Sequence, residues 1–97
     1  MGPPERFERD YGCTEAEWLG WLPGAVEPHA LALQAGGAEV PIGAGRLVLR
    51  WHPLPARQIA LLRLPRLAVS FAFDAVDDTA RRAFMRRFDL FMQRGGG

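Results

Sequence analysis

The sequence predicts an α+β domain: a five-stranded antiparallel meander sheet with a C-terminal helix packed across one face and a short N-terminal helix. Three observations predict it. Thr14-Glu15-Ala16-Glu17 has the form of a helix capping box, in which a hydroxyl and a carboxylate satisfy each other's backbone amides. Residues 29–74 alternate apolar and polar with short Gly- and Pro-containing breaks, which is the period of strands. Ala80, Ala83, Phe84, Phe88, Phe91 and Met92 recur at helical spacing and form one apolar stripe.

Taken in order, residues 1–12 are charged, contain Pro3-Pro4 and show no periodicity, so they are expected to be a flexible N-terminal arm unless docked. Residues 13–94 make a single α+β domain, and 95–97 a flexible glycine tail. In the first helix Cys13 and Trp18 occupy the two positions that a hydrophobic staple joins. Pro23-Gly24 is expected to stop that helix after about two turns. Strands are expected at 29–35, 38–42, 46–52, 57–64 and 67–74, with turns at Gly36-Gly37, 43–45, 53–56 and Pro65-Arg66. The last helix begins at Asp77 or Asp78, whose carboxylates suit a cap and the helix dipole.

A two-residue loop at Pro65-Arg66 would set Leu62 opposite Val69 and Ala60 opposite Phe71, and a four-residue loop at 53–56 would set Leu47 opposite Leu62. One face then holds Leu31, Leu33, Val40, Ile42, Leu47, Leu49, Trp51, Leu62, Leu64, Leu67, Val69, Phe71 and Phe73, to be covered by the C-terminal helix. Pro65-Arg66 is poor chemistry for a tight hairpin turn, so a bulge is expected there.

The reverse face gathers Arg46, Arg50, Arg57 and Arg63 around Ile59 and Leu61, with Arg57 opposite Asp74 and Arg46 opposite Arg63. Like charges placed directly opposite destabilise a sheet unless something anionic lies between them. Three fillers fit: an acid of the first helix lying across this face, with Trp18 and Trp21 on Ile59 and Leu61; a partner protein or a second copy; or a foreign anion.

Charge supports such a surface. Residues 1–45 hold seven acids against two arginines, whereas 46–97 hold ten arginines against four acids, so a formal net charge of +1 conceals halves of −5 and +6. All twelve basic residues are arginine, the usage of a GC-rich bacterial genome, and the guanidinium fork pairs well with carboxylate or phosphate.

Several function classes are excluded. One cysteine allows no internal disulfide and no Cys-based metal site, which fits a cytoplasmic protein without metal or cofactor. Residues 59–73 fall short of the ~20 apolar residues of a membrane span and are broken by Arg63, Pro65 and Arg66. Nucleic-acid binding is disfavoured because the arginine face lacks interleaved aromatics. Cys13 has no neighbouring histidine, His29 and His52 fall on opposite faces, Asp77-Asp78 is explained by capping, and GGAEVPIGAG is not followed by a phosphate-loop Lys. The expected function is therefore non-enzymatic: binding of another protein, or of a second copy as a homodimer, with Trp18 and Trp21 as aromatic anchors, Ile59 and Leu61 as the apolar centre, and Arg46, Arg50 and Arg63 as the rim. The alternative is a module for an anionic, partly apolar small molecule held by the same arginines.

Overall fold

A computed structural model describes residues 3–96 of the chain; the outermost ends of the expected arm and tail, residues 1–2 and 97, lie outside the described residues. The fold is α+β, an open five-stranded antiparallel sheet with a short N-terminal and a C-terminal helix. In chain order the elements are β1 (Arg6–Tyr11), α1 (Glu15–Val26), β2 (Ala32–Gln34), β3 (Gly37–Ile42), β4 (Gly45–Ile59), β5 (Leu62–Asp74) and α2 (Asp78–Phe91), with a π-helical turn over Met92–Gly96. The strand order is β1-β5-β4-β3-β2, so residues 29–74 supply a meander of four strands, β2 to β5, where five were expected, and the N-terminal segment adds the fifth strand beside β5.

That fifth strand corrects the flexible arm. Arg6–Tyr11 alternate after all, with Phe7, Arg9 and Tyr11 on the helix side and Arg6, Glu8 and Asp10 outside, paired with Ala72 through Leu67 of β5. The charges hid the period. Phe7 stacks on Phe71 with ring centroids 4.6 Å apart, and the Arg9 guanidinium lies over both rings while it pairs with Asp89 of α2.

The capping box forms: Glu17 N–H donates to Thr14 Oγ1 (3.1 Å) and Thr14 N–H to Glu17 Oε1 (2.9 Å). Cys13 and Trp18, the staple pair, are both buried. The helix does not stop at Pro23-Gly24 but continues to Val26. Proline inside a helix costs about 3 kcal/mol, and here burial of Leu22, Ala25 and Val26 against the sheet and α2 outweighs it. Gly24 serves packing, since a Cβ there would lie 2.6 Å from the Phe91 ring.

The largest correction concerns the two long strands. β4 runs without a turn through Pro53-Leu54-Pro55-Ala56, and the reversal comes at Ala60-Leu61, with Ile59 opposite Leu62. Leu47 therefore faces Phe73, Leu49 faces Phe71 and Trp51 faces Val69. The irregularity expected at Pro65-Arg66 sits across from it, between Leu54 and Arg57. Both helices cover one face: Trp18 and Leu22 of α1 join Phe84, Met85 and Phe88 of α2 over Leu47, Leu49, Leu67, Val69 and Phe71. Of the three fillers, the first helix lying across the arginine face is ruled out, because its apolar residues complete this core.

Two backbone positions near the β3–β4 and β5–α2 turns are tightly constrained. Ala75 has φ +56, a conformation unfavourable for a residue with a Cβ, and a Cβ on Gly45 would lie 2.2 Å from the Ala75 carbonyl oxygen. Ala75→Gly is expected to stabilise the fold by about 1 kcal/mol, and Gly45→Ala to destabilise it by about 2 kcal/mol or more. Urea unfolding midpoints of the two variants check both signs.

Candidate interaction surface

The sheet narrows towards one end. Pairing of β1 stops at Tyr11 with Leu67, and pairing of β3 starts at Gly37 with Arg50, extended by the Trp51 N–H to Gly36 O bond. Beyond these points β4 and β5 pair only with each other and project as a two-stranded arm, residues 53–66, which gives the molecule a long axis of 47 Å.

Four large aliphatics stand exposed within its last rows: Ile59, Leu62 and Leu64, with Leu61 97% exposed in the turn. The other exposed large aliphatics among the described residues, Leu19, Leu33 and Leu90, lie in three separate elements. Arg57 and Arg63 lie within the last rows and residues 53–66 contain no acid; Arg66, at the base of the arm, is held by Asp10 (2.7 Å). Ala60 in the turn has φ +54, where glycine or asparagine is usual.

The arm has two open edges, and proline modifies both. Trp51 N–H points to the β3 side, so the odd-numbered residues of this part of β4 turn their amides that way; Phe73 N–H donates to Glu5 O, so the odd residues of β5 turn theirs to the β1 side. Pro53 and Pro65 are odd, and each removes a donor from an edge that no strand covers, which hinders strand addition; Pro55 falls within the irregularity, outside the paired rows, and together these positions explain how prolines fit inside long strands.

The structure redistributes the residues singled out from sequence. Trp18 is completely buried, 5.7 Å from the Trp51 ring and 6.0 Å from Phe88, so it is a core residue rather than an exposed anchor. Trp21 is partly buried against the same core. Arg46 and Arg50 lie on the outer face of β4, level with Asp74 and Ser70, whereas Arg63 is level with Gln58 near the arm tip and alternates to the opposite face, so the three do not share the surface expected of them. Arg46 and Arg63 are thus not opposite: the strand between their levels is on the order of 35 Å long. The expected Arg57–Asp74 pair is replaced by Arg46, which reaches both Asp74 (3.7 Å) and Glu39 (3.2 Å). Ile59 and Leu61 do sit together, at the tip. Leu62 and Leu64, expected in the core, join them there, and the Ile59-Ala60-Leu61-Leu62 run was the available signal.

A separate cleft of about 350 Å³ lies between β1, α1 and the end of α2, lined by Arg9, Tyr11, Cys13, Trp21, Asp89 and Met92. Its charges are matched. Burial lowers the Arg9 pKa, but its hydrogen bonds to Asp89 and Tyr11 outweigh that and leave it raised. Burial also pushes the Tyr11 phenol and the Cys13 thiol up, which keeps both neutral. His29 packs against Phe84 on the helix side, whereas His52 is exposed at the base of the arm on the outer face. Among the described residues no three His, Cys, Asp or Glu side chains converge as a metal site, and no helix is long and apolar enough to cross a membrane.

No protein-family model matches the chain, and neither the curated proteins nor the solved structures include a match to it.

Because the folded state holds Cys13 and Tyr11 protonated more strongly than the unfolded chain does, folding stability falls as pH rises through and above the ordinary thiol value of 9.0. Urea melts from neutral to alkaline pH should show this decline, and Cys13→Ala should reduce it. Native Cys13 should react with a disulfide reagent at least about 100-fold more slowly than in denaturant.

Proposed function

We propose that this chain is a non-enzymatic, cytoplasmic binding domain whose partner is a protein, another chain or a second copy of itself, and that the β4–β5 arm makes the contact. The observation that carries the reading is the concentration of Ile59, Leu61, Leu62 and Leu64 on a projecting tip. Contiguous exposed apolar surface on a small domain marks an interaction site, whereas scattered residues do not. Arg57, in the same row as Leu64 on this face, supplies the side chain most suited to an interface rim, since a guanidinium packs its stem on apolar surface and keeps its donors available.

The same surface supports side-chain docking over strand addition, given a proline on each open edge, Pro53 and Pro65. It also favours protein over a small anion: Arg46 is already held by Glu39 and Asp74, and Arg63 is remote from it.

The test is a photo-crosslinking amino acid placed at Leu61 in cells that express the chain, with Arg82 on α2 as the control position. A discrete protein adduct at position 61, lost on Leu62→Glu and absent at position 82, is the expected result. Equal labelling at both positions, or none at 61, would reject the arm as the contact.

A further inference from the structure

The outer face of β4 and β5 breaks the rule that an antiparallel sheet with one solvated side alternates apolar inward and polar outward. By register it reads, from tip to base, Ile59 with Leu62, Arg57 with Leu64, Leu54 with Arg66, His52 with Ala68, Arg50 with Ser70, Val48 with Ala72, and Arg46 with Asp74. Two features follow. Large aliphatics occupy the arm end. At the base, β5 presents only Ala68, Ser70 and Ala72, a trough walled by Arg6, Glu8 and Asp10 of β1 on one side and by Val48, Arg50 and His52 of β4 on the other. A groove of about 360 Å³ overlies it, bounded by Glu8, Arg50, His52, Ala68 and Ser70.

Large and small ends of one face are complementary to each other under a two-fold axis that lies between two sheets and perpendicular to their strands. Such an axis reverses the strand direction and keeps β5 above β5. Placed level with Leu67, it lays the arm of each copy along the trough of the other, with Leu62 and Leu64 over Ala72 and Ser70. No edge pairing is required, which agrees with the prolines on both open edges. An isologous pair of this kind is the commonest oligomer, and a net charge of +1 gives little long-range repulsion between copies.

We infer that the arm's partner is a second copy of this chain, in a two-fold dimer in which each arm packs its outer face into the small-residue trough on the outer face of the other. This rests on the reading that the arm binds protein. The same axis brings Arg57 of one copy towards Arg50 of the other at the open rim of β4, so salt screens a repulsion in the dimer and does not weaken it.

Sedimentation velocity of the full chain at roughly tens of micromolar is the first measurement, with a dimer expected. Leu62→Glu on the arm and Ala72→Trp in the trough should each weaken it at least about tenfold, with unchanged far-ultraviolet circular dichroism; Ala68→Arg replaces Ala72→Trp if that variant does not fold. Mixing the two variants is decisive. Each variant alone has no intact arm-in-trough contact, but the mixed pair has one, the wild-type arm of Ala72→Trp in the wild-type trough of Leu62→Glu. Recovery of dimer on mixing, and a dimer that persists from about 0.1 M to about 0.5 M salt, support the inference. A monomeric wild type, a dimer lost in high salt, or no recovery on mixing overturns it. A monomer that still crosslinks to a foreign protein at Leu61 leaves the arm's role in protein binding standing, whereas a monomer that instead sediments with phosphatidylserine vesicles through Leu61 and Leu62 overturns that reading as well.

Discussion

The β4–β5 ladder is the constraint on which the other elements depend. Because β5 pairs with β4 from Asp74 to the Ile59–Leu62 turn, the parity of one strand sets that of the other over the whole length of the sheet. It directs Leu47, Leu49, Trp51, Leu67, Val69, Phe71 and Phe73 to one side, and no further strand choice is left. β1 then finds Phe71 available for Phe7, and β3 places Ala38 and Val40 beside Leu49 and Leu47. The irregularity opposite Pro65 shifts the parity of β4 once and brings Arg57 and Ile59 to the outer face, where the unbroken alternation of β5 already places Leu62 and Leu64.

Covering this inner face takes both helices, and aromatic rings form much of the joint. Phe88 sits edge-on to Phe71, Phe84 edge-on to Phe73, and Trp18 fills the space between Phe88, Trp51 and Tyr11. Such pairs add about 0.5–1.5 kcal/mol each beyond their burial. Trp51 satisfies its indole N–H on Glu15 (2.8 Å), and so ties the start of α1 to the sheet. Trp18 Nε1, by contrast, is buried with no hydrogen-bond partner among the described residues, a cost of about 1–3 kcal/mol. The ring's packing has to exceed that cost, which places Trp18 among the determinants of the core and removes it from any contact surface.

The arm follows from the same ladder continued past its neighbours. A two-stranded ribbon alone is marginally stable in water, and this one carries a positive-φ alanine in its turn and prolines at its edges. The prolines stiffen the chain and remove edge donors, which protects the ribbon from indiscriminate strand pairing. What is left for recognition is the side-chain surface: aliphatics at the tip, arginines beside them, and small residues at the base of the same face. A projecting, pairing-resistant ribbon is suited to docking in a shaped surface by its side chains.

Much of this was legible locally. The capping box at Thr14, the Asp77 cap of α2, the stripe of Phe84 and Phe88, and the inward parity of 47, 49 and 51 with 67, 69, 71 and 73 all depend on neighbours within a few residues or on a period of two. The proximity of Ile59 and Leu61 was readable for the same reason. Proline, however, carries two meanings: Pro53, Pro55 and Pro65 read as turns from their neighbours, and only the absence of a covering strand on the side of Pro53 and Pro65, with Pro55 inside the irregularity, makes them compatible with extended pairing. That one ambiguity displaced the turn, reversed the arm's aliphatics and created the false pairing of Arg46 with Arg63. Likewise the RFERDY alternation acquires significance only when Phe71 is present to receive Phe7 and Asp89 to receive Arg9. Local chemistry was thus sufficient to specify which residues seek burial, whereas the strand that pairs with each edge, and hence which face each side chain meets, depends on contacts between residues far apart in the chain.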